Sequence, residues 1–211
     1  MHVLEIVAFL LLLAALFASA EVLRRRGVSA DASRRYTHAS GASVAAVLPG
    51  FLSLPETVVI GVLVAAFLAW TRAHGLLRSV HGVERPTLGA ILFPVGLALA
   101  AIVGWVQPAS YSLAAITFAL ADPAAAIAGE QVAGPRWRVT RGTKSAAGSV
   151  AFAVVAAGVG LVAGIWLPLS VPAILAIAIG LAIVEGTLGY GLDNLVLPPA
   201  AAISFRLALG A

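Results

Sequence analysis

Apolar residues along the chain gather into eight long runs separated by short polar stretches. Several runs have 16 to 19 residues, close to the about 20 that a helix needs to cross a bilayer. The pattern predicts an all-α, polytopic integral membrane protein of about seven or eight transmembrane helices. We expect a single membrane domain over residues 1–211, in which residues 1–22 could form an accessory first helix. The runs are Val3–Ala20, His38–Leu54, Glu56–Thr71, Leu88–Val106, Ser110–Ala128, Ala147–Leu167, Val171–Leu188 and Leu195–Leu209.

Composition supports the membrane assignment. Hydrophobic residues make up 61% of the chain, charged residues make up 10%, and the mean hydropathy is +1.04. A soluble domain has about a quarter of its residues charged, so a chain this poor in charge cannot cover a water-facing surface. The absence of cysteine excludes disulfides, thiolate metal sites and thiol nucleophiles.

The basic residues are confined to alternate loops between the apolar runs. These loops hold 12 of the 13 lysines and arginines. By the positive-inside rule their side of the bilayer is cytoplasmic, and the N-terminus lies outside. This placement explains the net charge of +4 better than nucleic-acid binding does, so we expect no nucleic-acid partner. The twelve residues are Arg24, Arg25, Arg26, Arg34, Arg35, Arg72, Arg78, Arg85, Arg136, Arg138, Arg141 and Lys144.

Asp122 interrupts an apolar run, and a carboxylate in such a place requires a cation, a metal or a proton to offset its desolvation. Helical spacing puts Asp122 on one face with Ala125, Ala126 and Gly129. Small residues on one face are typical of helix-packing seams, and they also allow a ligand to approach the backbone. Both interpretations of this face remain open, and the carboxylate favours chemistry.

Lys144 and Ser145 follow a basic stretch and open the next apolar run. A lysine and a hydroxyl at a helix N-terminus are well suited to bind phosphate. The glycine spacing and the lack of a preceding strand exclude a P-loop. A positive-inside anchor is the competing interpretation of this loop, and it fits Arg136 and Arg138 best.

Polar groups near two other runs are predicted to face the same side of the bilayer. Arg35 and His38 lie where a basic loop enters the second run, although a histidine there could equally be a cap or an interfacial residue. Asp193 and Asn194 follow a glycine-rich stretch after Glu185, and either could simply cap the last helix. A second acidic group on the side of Asp122 is what a metal–nucleotide site requires.

These motifs together resemble the dolichol kinase and phytol kinase family of CTP-dependent lipid kinases. The resemblance covers residues 34–209, which would form the catalytic core. This sequence departs from the family pattern in two places. It has Ala121 where the family often has glycine, and it has arginines in the loop before Lys144, where the family usually has more lysine. The residues that carry it are Arg34, Arg35, His38, Gly41, Asp122, Ala126, Gly129, Gly134, Lys144, Ser145, Gly148, Ser149, Gly191, Asp193, Asn194 and Pro198, with Arg85-Pro86-Thr87-Leu88-Gly89 before the fourth run.

The resemblance implies transfer of the γ-phosphoryl group of CTP to the hydroxyl of a membrane lipid alcohol, with Mg²⁺ as cofactor. Asp122 and Lys144 would be catalytic, and Asp122 and Asp193 would bind the metal. The nucleotide and its phosphates would contact Arg35, His38, Gly129, Gly134, Lys144, Ser145, Asp193 and Asn194. We expect a multi-pass protein of the cell membrane whose active site lies on the cytoplasmic side.

Two other classes of function remain open from the sequence. A cytidylyltransferase making a CDP-lipid would use the same nucleotide and release pyrophosphate instead of CDP. A non-enzymatic transporter or scaffold would use Asp122 to relay protons or bind a cation. The acceptor could be a polyprenol, phytol, geranylgeraniol or diacylglycerol.

Introduced cysteines test the predicted orientation cleanly, because the chain has none of its own. A cysteine at Arg26 or Arg138 should react with a membrane-impermeant thiol reagent only from the cytoplasmic side. A cysteine at Gln107 or Pro168 should react only from outside. Labelling of both pairs from one side would contradict the orientation.

Overall fold

The computed structural model describes residues 2–83 and 87–211, and about 76% of the chain is helical. Glu84, Arg85 and Pro86, part of the segment that resembles the kinase family before the fourth run, lie outside the described residues. The described elements are α1 Val3–Arg25, α2 Ala30–Ala46, a 3₁₀ turn Leu48–Gly50, α3 Leu54–Ala73, α4 Arg78–His81, α5 Gly89–Gly104, α6 Pro108–Gln131, β1 Arg136–Val139, β2 Gly142–Ser145, α7 Ala146–Ala163, α8 Val171–Thr187 and α9 Asp193–Ala208.

The second predicted segment has the wrong boundaries. The helix begins at Ala30 rather than at His38, after Ser29, whose hydroxyl accepts a hydrogen bond from the Ala32 amide at 3.2 Å. Arg34 and Arg35 therefore lie inside α2 and not in a loop. The sequence reasoning excluded these charges from the helix because it assumed that every helix face meets lipid, whereas here they face a polar cavity.

Four helices in the described part of the chain are long and apolar enough to cross a membrane, namely α1, α3, α6 and α7. Two further helices, α5 and α8, are apolar but shorter, with 16 and 17 residues. This finding is compatible with a membrane protein. The expected number of seven or eight spans stays a prediction.

Helix α6 lies at the centre of the described fold, where it packs against α2, α7 and α9. Its buried residues combine two aromatic side chains, Tyr111 and Phe118, with a series of alanines. Alanine keeps the neighbouring backbones close together, which is the usual way in which apolar helices pack without a hydrophobic driving force between them. The core therefore depends on small residues as much as on large ones.

A short antiparallel hairpin, β1–β2, joins α6 to α7 where the sequence analysis expected only a loop. Trp137 lies opposite Lys144, and the tip between Val139 and Gly142 holds Arg141 at a φ of 51°. The indole Nε1 of Trp137 donates a hydrogen bond to the Gly186 carbonyl at 2.7 Å, which fixes the hairpin against the end of α8. Strands of four residues are too short to leave a clear alternating pattern.

The contact between α5 and α9 depends on a glycine. A Cβ atom at Gly96 would lie 2.1 Å from the backbone oxygen of Asn194. This distance is far below a van der Waals contact, so the two helices can approach this closely only if residue 96 has no side chain. The contact places the first turn of α9, and with it Asp193 and Asn194, against α5.

We therefore expect Gly96→Ala to destabilise the protein by roughly 1–3 kcal/mol, because the added methyl group overpacks the contact between α5 and α9. Gly158→Ala is the matched control, since a Cβ atom at Gly158 meets nothing within 4 Å. That control should be neutral or slightly stabilising. Thermal unfolding in detergent measures both, and equal stability of the two variants would contradict the packing argument.

Candidate active site

A polar cavity of about 480 Å³ lies where α2, α6, the hairpin and the ends of α8 and α9 meet. Nearly all the residues predicted to be catalytic or to bind the nucleotide or metal line this cavity, although they come from four separate stretches of the chain. Among them, Gly134 is the exception and does not line it. The sequence-derived residues in its wall are Arg35, His38, Asp122, Gly129, Lys144, Ser145, Asp193 and Asn194.

The shared face of α6 is confirmed, because Asp122, Ala125, Ala126 and Gly129 all line the cavity. The Asp122 side chain is 29% exposed, and its Oδ2 lies 3.7 Å from Nε2 of His38. Asp122 is therefore not buried among apolar side chains. It opens into the polar cavity, where its oxygens can reach a ligand.

Lys144 is held between two carboxylates. Its Nζ donates hydrogen bonds to Glu185 and, at 2.9 Å, to Oδ2 of Asp193, and only 16% of its side chain is exposed. Burial by itself lowers the pKa of Lys144, but the charges of Asp193 and Glu185 outweigh it and raise the pKa above its usual value. The lysine therefore stays protonated, and its charge is balanced by α8 and α9.

Glu185 is the main residue of this site that the sequence reasoning did not include. It is 4% exposed, and besides Lys144 it accepts a hydrogen bond at 3.4 Å from the hydroxyl of Ser149. The available signal was the isolated charge in the run AIAIGLAIVEGT, because a lone carboxylate in an apolar run is a functional candidate in its own right. The prediction considered only the end of the helix, which three glycines after Glu185 mark, and gave Glu185 itself no role.

Ser145 and Gly129 join α6 to α7. The Ser145 hydroxyl caps α7 by accepting a hydrogen bond from the Gly148 amide at 3.1 Å. A Cβ atom at Gly129 would lie 2.8 Å from that hydroxyl, and one at Gly148 would lie 2.9 Å from the carbonyl of Ala125. The glycines in this contact thus serve helix packing, and the same packing brings the N-terminus of α7 to the cavity.

Several arginines also reach the cavity. Arg35 forms an ion pair with Glu130, and Arg141 lies over the ring of Tyr190, 4.7 Å from its centroid. Arg136 donates a hydrogen bond to the Gly129 carbonyl at 2.7 Å and lines the cavity, whereas the sequence reasoning assigned it to the membrane surface. A cavity with this many guanidinium groups suits an anionic ligand such as a polyphosphate.

The carboxylates fit a metal that arrives with phosphate rather than one held by protein alone. Among the described residues, no group of three or more His, Asp or Glu side chains surrounds a common point. Mg²⁺ in nucleotide sites takes one or two carboxylates and completes its shell with water and phosphate oxygens. Asp122 can supply such an oxygen, whereas Asp193 already holds Lys144.

No family model, no characterised protein and no solved structure matches the chain.

The buried charges generate a stability prediction. Lys144→Met should destabilise the protein by about 3–5 kcal/mol, because it leaves the carboxylates of Glu185 and Asp193 buried together without their cation. Adding Glu185→Gln should restore part of this loss by removing one of the stranded charges. Denaturant unfolding in mild detergent measures the free energy of unfolding of each variant.

Arg138→Met is the control, since it removes an exposed cation from the same hairpin and should change stability little. If Lys144→Met and the double variant with Glu185→Gln were equally stable, the charge cluster would not be what holds the hairpin in place.

Proposed function

We propose that this protein is an integral membrane kinase that transfers the γ-phosphoryl group of CTP to the hydroxyl of a membrane lipid alcohol at the cytoplasmic face. The observation that supports the proposal most is the polar cavity that brings together Asp122 from α6, Lys144 from the hairpin and Asp193 from α9. The choice of CTP follows the resemblance of the sequence motifs to the dolichol and phytol kinases.

A membrane location is supported by the four long apolar helices and by the clustering of 12 of the 13 lysines and arginines between alternate apolar runs of the sequence. We propose seven or eight spans, in which the shorter helices α5 and α8 and one or both of α2 and α9 also cross the bilayer. The cavity is lined by Arg35, Arg136 and Lys144, which belong to the basic side. By the positive-inside rule this side is cytoplasmic, where CTP is available.

The cationic groups of the cavity would bind the triphosphate. Lys144 has a third N–H available beyond its two carboxylate partners, and Arg136 and Arg141 supply guanidinium donors from the hairpin. Asp122 would hold Mg²⁺, which, when bound, would neutralise part of the phosphate charge, whereas Asp193 would keep Lys144 in place. Positioning and charge neutralisation are most of what phosphoryl transfer requires.

In the proposed reaction, the oxygen of the lipid hydroxyl forms a bond to the γ-phosphorus of CTP. The bond from that phosphorus to the oxygen bridging the β- and γ-phosphates breaks, and CDP leaves with the electron pair. The hydroxyl proton passes to the carboxylate of Asp122, whose oxygens open into the cavity. Lys144 stabilises the charge that develops on the transferred group.

Asp122→Asn tests this proposal most directly. The amide keeps the size of the side chain and loses its charge and basicity, so CTP-dependent phosphorylation should fall by about 10²–10³-fold or more. Labelled CTP and a panel of lipid alcohols, with both products resolved, give the measurement. CDP together with a phosphorylated lipid supports the kinase, and pyrophosphate with a CDP-lipid would instead identify a cytidylyltransferase.

Glu5→Gln is the matched control, because it makes the same chemical change at an exposed position in the first turn of α1. Both variants should insert into the membrane and unfold at the temperature of the wild type. Near-normal phosphorylation by Asp122→Asn would remove Asp122 from the proposed mechanism.

A further inference from the structure

A second cavity, which we call the apolar groove, lies between α1, α2, α3 and α5. Its wall is almost entirely hydrocarbon, with phenylalanine, leucine, valine and alanine side chains from all four helices. Along α2 it extends from Arg34 to Ala45, a separation of eleven residues that corresponds to about 16 Å of helix. A groove of this length and chemistry suits an extended hydrocarbon chain.

The apolar groove adjoins the polar cavity. Arg34, His38 and Asn194 line both of them. The two compartments therefore meet at these three residues, one compartment suited to a hydrocarbon and the other to a polyphosphate. A lipid with a single polar end matches this arrangement, because its two parts need the two kinds of surface.

The junction contains buried polar atoms that lack a ligand. Within the described residues, neither Nε2 of His38 nor Oδ1 of Asn194 has a hydrogen-bond partner. The His38 side chain is only 11% exposed and lies between the rings of Phe93 and Phe118, at centroid distances of 4.3 and 4.9 Å. Buried polar groups are almost always satisfied in native proteins, so each exception needs an explanation.

We propose that the apolar groove binds the chain of the acceptor alcohol and that His38 positions its hydroxyl. The proposal rests on the function proposed above and names the form of its lipid substrate. In its Nε2–H tautomer, His38 donates a hydrogen bond to the alcohol oxygen, which leaves the hydroxyl proton directed at Asp122. The 3.7 Å between Nε2 and the Asp122 Oδ2 allows one oxygen to contact both.

The size of the groove favours one chain over two. Its volume is about 100 Å³, and it is open on one side; an engineered cavity that binds benzene measures about 150 Å³. This space holds a short stretch of a single chain beside His38, and the rest of the chain continues along the open side of the groove. The acceptor is therefore a single-chain alcohol of the isoprenoid or fatty type rather than a diacylglycerol.

Blocking the groove tests the proposal without any need for catalysis. A Cβ atom at Gly41 would meet only the edge of Phe93, at 4.0 Å, so the side chain of Gly41→Leu projects into the open groove. Saturable binding of tritiated geranylgeraniol to purified protein in detergent, without nucleotide, should weaken at least tenfold in this variant. Unlabelled dioleoylglycerol should fail to compete for the wild-type site.

Gly158→Leu is the control, since it adds the same side chain to a helix at a position open to the surroundings, and it should bind like the wild type. Val64→Phe, which narrows the groove from α3, provides a second blocked variant, and thermal unfolding shows that each variant is folded. Undiminished binding in the folded blocked variants would overturn the proposal, as would competition by dioleoylglycerol.

His38→Phe separates the role of His38 from groove packing, because phenylalanine keeps an aromatic ring beside Phe93 and Phe118 and removes the donor. It should raise the KM for the alcohol at least tenfold and leave the KM for CTP unchanged, and His38→Gln should restore part of the loss. An unchanged KM for the alcohol in His38→Phe would overturn the positioning role.

If the wild type bound the alcohol in the groove but formed no phosphorylated product from CTP, the proposed function would fail and the groove assignment would stand.

Discussion

A lysine ammonium buried between two carboxylates holds together the parts of the chain on which the candidate active site depends. Lys144 belongs to the hairpin, Glu185 to α8 and Asp193 to α9, so this one cluster joins three elements that are distant in sequence. Each of these ions would be costly to bury alone, and the attraction between them offsets that cost only when all three are in place. The wall of the polar cavity therefore forms as a unit.

Close contacts at glycines give the helices around this cluster their spacing. Gly96 admits the backbone of α9 against α5, and Gly129 and Gly148 let α6 and α7 approach at the capping serine. In a chain whose helices are apolar on most faces, such contacts rather than hydrophobic burial decide which helices are neighbours. The separation of Asp122 and Lys144 thus depends on the close contact between α6 and α7 that Gly129 and Gly148 allow.

Much of the helical organisation could be predicted from the sequence, because long apolar runs have few alternatives to helix. The cavity-facing side of α6 was predictable too, since helical periodicity alone places Asp122 beside Gly129. The pairing of Lys144 with Glu185 was not predictable, because it joins residues about forty positions apart. The hairpin was not predictable because its four-residue strands leave no clear alternating pattern. The predicted start of α2 was wrong because charged residues were assumed to lie outside helices. Only the folded structure shows that Arg35 faces a polar cavity.

The three residues shared by the two compartments have a thermodynamic consequence. A ligand that moves Arg34, His38 or Asn194 from one side changes the wall seen from the other. Such a ligand would couple the two compartments energetically, and any factor by which occupancy of one altered affinity in the other would apply equally in reverse. An apolar ligand and an anionic ligand that share no surface of their own would then act as heterotropic effectors of each other.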